Sequence, residues 1–198
     1  MTTRALFPTL VYTARLARRG ERAFNAQLLR ECRQLRADDA AGRRWSARNY
    51  PHGYTSYGSA YRMQRASPTF AALEAKLRRH VHAFGQALGL DFATRPVAMT
   101  DCWVNIMARH AVHGLHLHPL STLSGSYYVQ APRGSAGLKL EDPRLDRLMA
   151  AAPRRDHWVV VPALSGQLVL FESWLRHEVP PHRCATERVS ISFNYGWF

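Results

Sequence analysis

The hydrophobic rhythm of the 198-residue chain changes about halfway along. Up to residue 94 the apolar positions recur mostly at spacings of three and four. From Arg95 onward they alternate with polar ones. The clearest helical run is Pro68 to Leu88, where Phe70, Leu73, Leu77, Val81, Phe84 and Leu88 share one face. Ser67 is placed to cap its first turn, and Pro68 suits the first helical position. A second stripe, Phe24, Leu28, Cys32 and Leu35, predicts a helix from about Glu21 to Arg36. "LFPTLVY" predicts a short opening strand. The segment Ala37 to Ala66 is polar and rich in Gly, Ser, Asn and Tyr, and reads as an ordered loop or lid.

The second half predicts strands at Val97–Met107, Gly114–His118, Gly125–Gln130, Gly137–Leu140, His157–Val161, Gly166–Glu172 and Arg188–Tyr195. Turns at "APRGSAG", "PALSG" and "VPPHR" separate the later ones. Two helices followed by seven or eight antiparallel strands predict a mainly β fold, a sandwich or jelly roll with the helices packed outside. The length suits a single domain over 1–198. In that reading residues 1–94 support a barrel formed by residues 95–198.

Composition adds little to the fold and more to the partners. Apolar residues make up 46% and aromatic ones 11%, enough for a core without disulfides. Basic residues number 27 against 14 acidic ones, a net charge of +13. Only Lys76 and Lys139 are lysines, so the other 25 are arginines. They lie in scattered short pairs such as Arg43-Arg44 and Arg78-Arg79, without a basic tail. Nucleic acid is therefore a conceivable partner but not the favoured one. Cys32, Cys102 and Cys184 are too few for a disulfide framework and suit a reducing compartment. No apolar run approaches the ~20 residues that span a bilayer. "MTTRALFPTLVY" lacks the apolar core of a signal peptide. A soluble, cytoplasmic protein with no membrane contact is expected.

Candidate chemistry concentrates in "HAVHGLHLHPLSTLSGSYYV", residues 110–129, which opens with four histidines in nine positions. On an extended strand His116 and His118 point one way and Leu115 and Leu117 the other, so two imidazoles ~6–7 Å apart could share a metal ion. His110 and His113 fit that geometry less well and are expected at the rim or surface. His80 and His82 read as ordinary helix residues. Zinc hydrolases of the metallo-β-lactamase type also use His-x-His but continue with Asp-His, where this chain has Pro119-Leu120. His177 supplies a third imidazole after the strand "GQLVLFES" and the turn "WLR". Eleven residues later comes Arg188, in "ERVSISFNY". Arg188, Ser190, Ser192 and Asn194 share one face of that strand, and Val189, Ile191, Phe193 and Tyr195 the other. A strand with a polar inner face suits a barrel that encloses a site, and an arginine fork binds a carboxylate through two hydrogen bonds.

With "WVNIMARHAVHGLHLHPLSTLSGSYYVQAP", "LEDPR", "GQLVLFESWLRHEVPP" and "ERVSISFNY", the chain resembles the 2-oxoglutarate- and Fe(II)-dependent oxygenases built on a double-stranded β-helix, and most nearly a bacterial and phage group. The resemblance covers roughly residues 103 to 195. It implies a dioxygenase, most simply a hydroxylase, that releases succinate and CO2. It implies His116 and His177 as iron ligands, and Arg188 and Ser190 as the residues that bind 2-oxoglutarate. It also offers Asn105, and Tyr127 or Tyr128, as further cosubstrate contacts. The family's His-x-Asp/Glu carboxylate is replaced here by His118. The third ligand is therefore His118 or a carboxylate from elsewhere, such as Asp101, Asp142 or Glu172. The segments Asn49–Tyr61 and "EDPR" are candidate substrate walls. The substrate itself, a small molecule or peptide, is not legible. Two other readings stand beside this one: a cupin-type metal or small-molecule binder without turnover, and a nucleic-acid-associated protein.

Overall fold

The alternating half of the chain folds into two antiparallel sheets, which a computed structural model describes over residues 2–16, 20–144 and 158–197. The larger sheet runs β1 (Val11–Arg15), β8 (Gln167–Glu172), β5 (Leu123–Gln130), β10 (Arg188–Trp197), β3 (Val97–Met107), β2 (Gly53–Thr55). The smaller runs β4 (His113–His116), β9 (His177–Val179), β6 (Leu138–Glu141), β7 (Trp158–Val161). Their shared core includes Tyr128, Val169 and Phe171 from the larger sheet and Leu138, Leu140 and Val179 from the smaller. The two sheets thus enclose the space in which the site lies.

The other face of the larger sheet is covered by helices. α1 (Glu21–Asp38) brings Leu28 and Cys32, and α4 (Pro68–Ala87) brings Phe70, Leu73, Leu77, Val81 and Phe84. They pack with Ile106, Tyr127, Leu168, Leu170, Ile191 and Phe193. Each such side chain stabilises the fold by roughly 1.5–3 kcal/mol through removal from water. α4 starts where its sequence says it should. The Ser67 hydroxyl accepts from the amides of Thr69 and Phe70 at 3.1 and 3.4 Å. Val189, Ile191, Phe193 and Tyr195 face this helical layer, so the alternation read in β10 holds.

Residues 37 to 66 depart from expectation. They form α2 (Ala40–Asn49), β2 and the single turn α3 (Met63–Ala66) rather than only a loop. α2 buries just Gly42 and Ser46, so it has no apolar stripe to announce it. It is held by polar contacts instead. Asp39 caps it by accepting from the Gly42 amide at 2.8 Å, and a Cβ at Gly42 would fall 2.0 Å from that carboxylate. Ser46 accepts from the Thr55 amide at 3.0 Å and so ties α2 to β2. The three-residue β9 also escapes sequence reading, and the opening strand lies further along than "LFPTLVY" suggests. His157, expected in the strand before Val161, lies outside the described residues. Among the described residues no helix is long and apolar enough to cross a membrane.

Candidate functional site

Three imidazoles from one end of the smaller sheet converge. Each of His116, His118 and His177 offers one ring nitrogen, and these atoms lie within 4.8 Å of one another. His116 and His177 are paired across β4 and β9. His118 follows the end of β4, held by its amide on the Ser173 carbonyl at 3.0 Å. Two rings have their outer nitrogens fixed: Nδ1 of His116 lies 2.7 Å from the Gly114 carbonyl and Nδ1 of His177 2.8 Å from that of Leu175. A carbonyl only accepts, so both Nδ1 atoms carry protons and both Nε2 atoms present lone pairs inward. His118 Nε2 sits 3.3 Å from His177 Nε2. Two such nitrogens need a proton or a cation between them. Neighbouring ligands about 2.1 Å from one divalent ion stand about 3.0–3.4 Å apart, so the spacing fits a metal.

The electrostatics agree with this donor set. Burial pushes the His118 imidazole down to about 3 and that of His177 to about 4, with neighbouring imidazoles adding to it. The rings are therefore neutral at ordinary pH, the form that coordinates metal. No carboxylate joins the group among the described residues. Asp142 is engaged by Arg144, and Asp101 lies along β3.

Behind the triad is a narrow cavity, with about 30 Å³ of space, that reaches Arg188, Ser190, Ser192 and Asn105. Arg188 is buried and donates to Ser190 Oγ at 3.2 Å and to Met107 Sδ at 3.4 Å. Its guanidinium stands 4.9 Å from the centre of the Tyr128 ring. Among the described residues its Nε has no hydrogen-bond partner, and neither do the buried Asn105 Oδ1 and Tyr128 hydroxyl. A buried charge met only by neutral groups is costly, so this arrangement calls for an anion. The free space holds about two waters. A five-carbon dicarboxylate would have to displace them and part the walls.

The structure brings together His116, His118, His177, Arg188, Ser190, Asn105 and Tyr128. It does not bring Tyr127, whose side chain points the other way. The Tyr127 hydroxyl donates to Asn25 Oδ1 on α1, and the ring lies in the helix-side core, so Tyr127 is no cosubstrate contact. Strand parity explains the difference: Ser124, Ser126 and Tyr128 share the polar face of β5, a signal present in the sequence. His110 lies outside both cavities, with a positive φ of 74° and its ring 6.1 Å from that of His52. His113 is a cavity wall stacked on His116 at 4.4 Å, because the β4–β9 pairing shifts register between positions 113 and 116 and brings both rings to one side. Sequence reasoning did not single out Trp103, whose ring centre lies 5.7 Å from that of His118.

A second, outer cavity of about 370 Å³ opens on His116 and His118 of the triad, with His113 in its wall. Asn49, Tyr50, Thr55 and Tyr57, from the segment expected as a substrate wall, line this cavity, and Trp45 of α2 joins them. The "EDPR" segment lines neither cavity.

Two packed antiparallel sheets with a histidine cluster at one mouth and an arginine deep inside define the double-stranded β-helix class. Solved structures of that class match nearly the whole chain. A prolyl-4-hydroxylase from Pseudomonas putida superposes with a TM-score of 0.64 at 17% identity, covering 95% of this chain and 92% of its own. HygX from Streptomyces hygroscopicus, solved with nickel and 2-oxoglutarate, gives 0.65 at 14%, covering 95% and 83%. The α-ketoglutarate-dependent epimerase SnoN of nogalamycin biosynthesis gives 0.65 at 15%, covering 94% and 77%. No curated protein sequence matches the chain. Residues 101–194 match the model of the family described as "Putative 2OG-Fe(II) oxygenase".

Proposed function

We propose that this chain uses Fe(II), 2-oxoglutarate and O2 to hydroxylate a C–H bond of an organic substrate, releasing succinate and CO2. The observation that carries the reading is one juxtaposition: three metal-competent imidazoles at the mouth of a cavity whose far end holds a buried, under-partnered arginine. His116, His118 and His177 would hold the iron, and His118 would stand where relatives of the group have a carboxylate. Arg188 and Ser190 would bind the remote carboxylate of 2-oxoglutarate, with Asn105 and Tyr128 offering neutral hydrogen bonds beside it. Iron so held supplies the activation of O2, coupled to oxidative decarboxylation of the cosubstrate.

This chain's own part is to bind, orient and exclude water. The carbonyls of Gly114 and Leu175 fix the ring planes of two ligands. Phe171 packs edge-on against His177 at 4.6 Å between ring centres and keeps that ring dry. Trp103 lies tilted against His118 at 5.7 Å between ring centres and shields one side of that ring. α2 and β2 would belong to the same functional unit, since their residues help to wall the outer cavity. The three free cysteines suit a cytoplasmic setting.

Incubation with Fe(II), 2-oxoglutarate and air tests the reading without a known substrate, because such enzymes decarboxylate the cosubstrate slowly when uncoupled. Succinate should form, as followed by NMR, and Arg188→Ala should suppress it. A protein that binds metal but forms no succinate at any cosubstrate concentration would be a binding protein instead.

A further inference from the structure

We infer that the outer cavity takes a small molecule carrying a cationic amine on a flat or apolar body, with Asp101 receiving the charge. This deepens the proposed function and rests on the triad being the reacting end of the cavity. The argument begins with what is missing from the lining. The chain has 27 basic residues, yet among the described residues no arginine or lysine lines this cavity. Among the described residues its one lining residue of fixed charge is Asp101, through its carboxylate. Away from the metal end, the phosphate or carboxylate groups of a substrate would find no counter-charge there and one repelling group.

The carboxylate is poised for a ligand. Thr100 Oγ1 donates to Asp101 Oδ2 at 2.7 Å, and Asn194 Nδ2 reaches the same oxygen at 3.4 Å. Both bonds fall on Oδ2, which leaves Oδ1 for an ammonium. Among the described residues no arginine or lysine pairs with Asp101.

The other walls supply the body of the recognition. Trp45, Tyr57 and Trp103 line the same space, and Tyr57 meets Trp103 edge-on with 5.0 Å between ring centres. Trp45 and Tyr57 are 40% and 52% exposed, unusually open for such large rings. Aromatic faces attract cations as well as flat apolar groups, and a carboxylate among them adds direction. Trp103 and Asp101 are two residues apart on β3 and share a face, so Asp101 lies ~6–7 Å along the strand from the ring that touches His118. An amine bound at Asp101 would thus present carbons a few bonds away to the triad. A cavity of about 370 Å³ holds a small molecule, at the lower end of the usual ligand range.

The test compares 2-phenylethylamine with its neutral counterpart 2-phenylethanol, both titrated into the full chain by calorimetry, with and without Fe(II) and 2-oxoglutarate under anaerobic conditions. The amine should bind at least about tenfold more tightly than the alcohol. Asp101→Asn should remove that preference while leaving alcohol binding unchanged. Trp45→Ala, a substitution at a surface position of α2, should weaken both probes together, and covers the case in which the Asp101 variant fails to fold. Equal binding of the two probes overturns the inference, as does a preference that survives Asp101→Asn, or no binding of either probe at millimolar concentration. These titrations need no turnover. Succinate formation without an amine preference would sink the cavity assignment alone, and an amine preference without succinate formation would sink the oxygenase reading alone.

Discussion

His177 shows how much of a site can hang on one position. It begins a three-residue strand, carries a proton on Nδ1 toward Leu175, and turns Nε2 to within 3.3 Å of that of His118. His177→Ala should weaken Fe(II) binding by at least about 100-fold, whereas His110→Ala should leave it nearly unchanged, because His110 lies outside both cavities. Equal losses by metal titration would contradict this choice of ligands. Arg188→Ala should raise the concentration of 2-oxoglutarate required by about 10- to 100-fold, the worth of one or two charge-assisted hydrogen bonds, with metal affinity little changed. The two tyrosines separate cleanly. Tyr127→Phe should lower stability by about 1 kcal/mol through loss of its bond to Asn25, with no effect on cosubstrate affinity. Tyr128→Phe should alter cosubstrate affinity instead. The histidine pair and Arg188 were legible because strand parity fixes faces. Choosing between the tyrosines required weighing the serines two and four positions before Tyr128, which place it on the polar face.

At the scale of elements, α4 and β10 announce themselves and α2 does not. α4 has a continuous apolar stripe and a capping serine, and β10 alternates through its whole length. α2 offers one large apolar residue, Trp45, and that one faces the outer cavity. Its place is set by Asp39, whose carboxylate also accepts from Tyr54 at 2.9 Å and from Ser59. Partial burial pushes the Asp39 carboxyl up, but hydrogen bonds from Ser59, Gly42 and Tyr54 outweigh it and hold the group below the usual carboxylate range. A depressed folded-state pKa contributes stability that is complete above about pH 4 and is lost as pH falls through the lower folded value. The melting temperature of Asp39→Asn should therefore fall short of the parent's at pH 6 and converge on it toward pH 2–3. A gap that widens on acidification would contradict the assignment. The β4 bulge was equally invisible in sequence. It turns His113 from an expected rim residue into a wall stacked on His116.

On the scale of the whole molecule, the excess of arginine and the character of the site are separate matters. A net charge of +13 suggests polyanions, but among the described residues no arginine or lysine lines the outer cavity, and Arg188 alone lines the inner one. Affinity for duplex or single-stranded DNA should accordingly be weak and vanish by moderate salt, as counterion release dictates. Retention of tight binding at high salt would restore nucleic acid as a partner. The architecture, two sheets enclosing a polar interior under a helical cover, could be read from the switch in hydrophobic period. The aromatic outer cavity could not, because it is assembled from α2, the β2 segment, β3, the histidine loop and β10, which lie up to 149 positions apart in the lining from Trp45 to Asn194. The central claim is that three histidines hold Fe(II) beside a 2-oxoglutarate site, and anaerobic visible spectroscopy tests it most directly. Adding Fe(II) and then 2-oxoglutarate should produce a weak charge-transfer band that His177→Ala abolishes. No band, together with no heat of cosubstrate binding in calorimetry, would contradict the account.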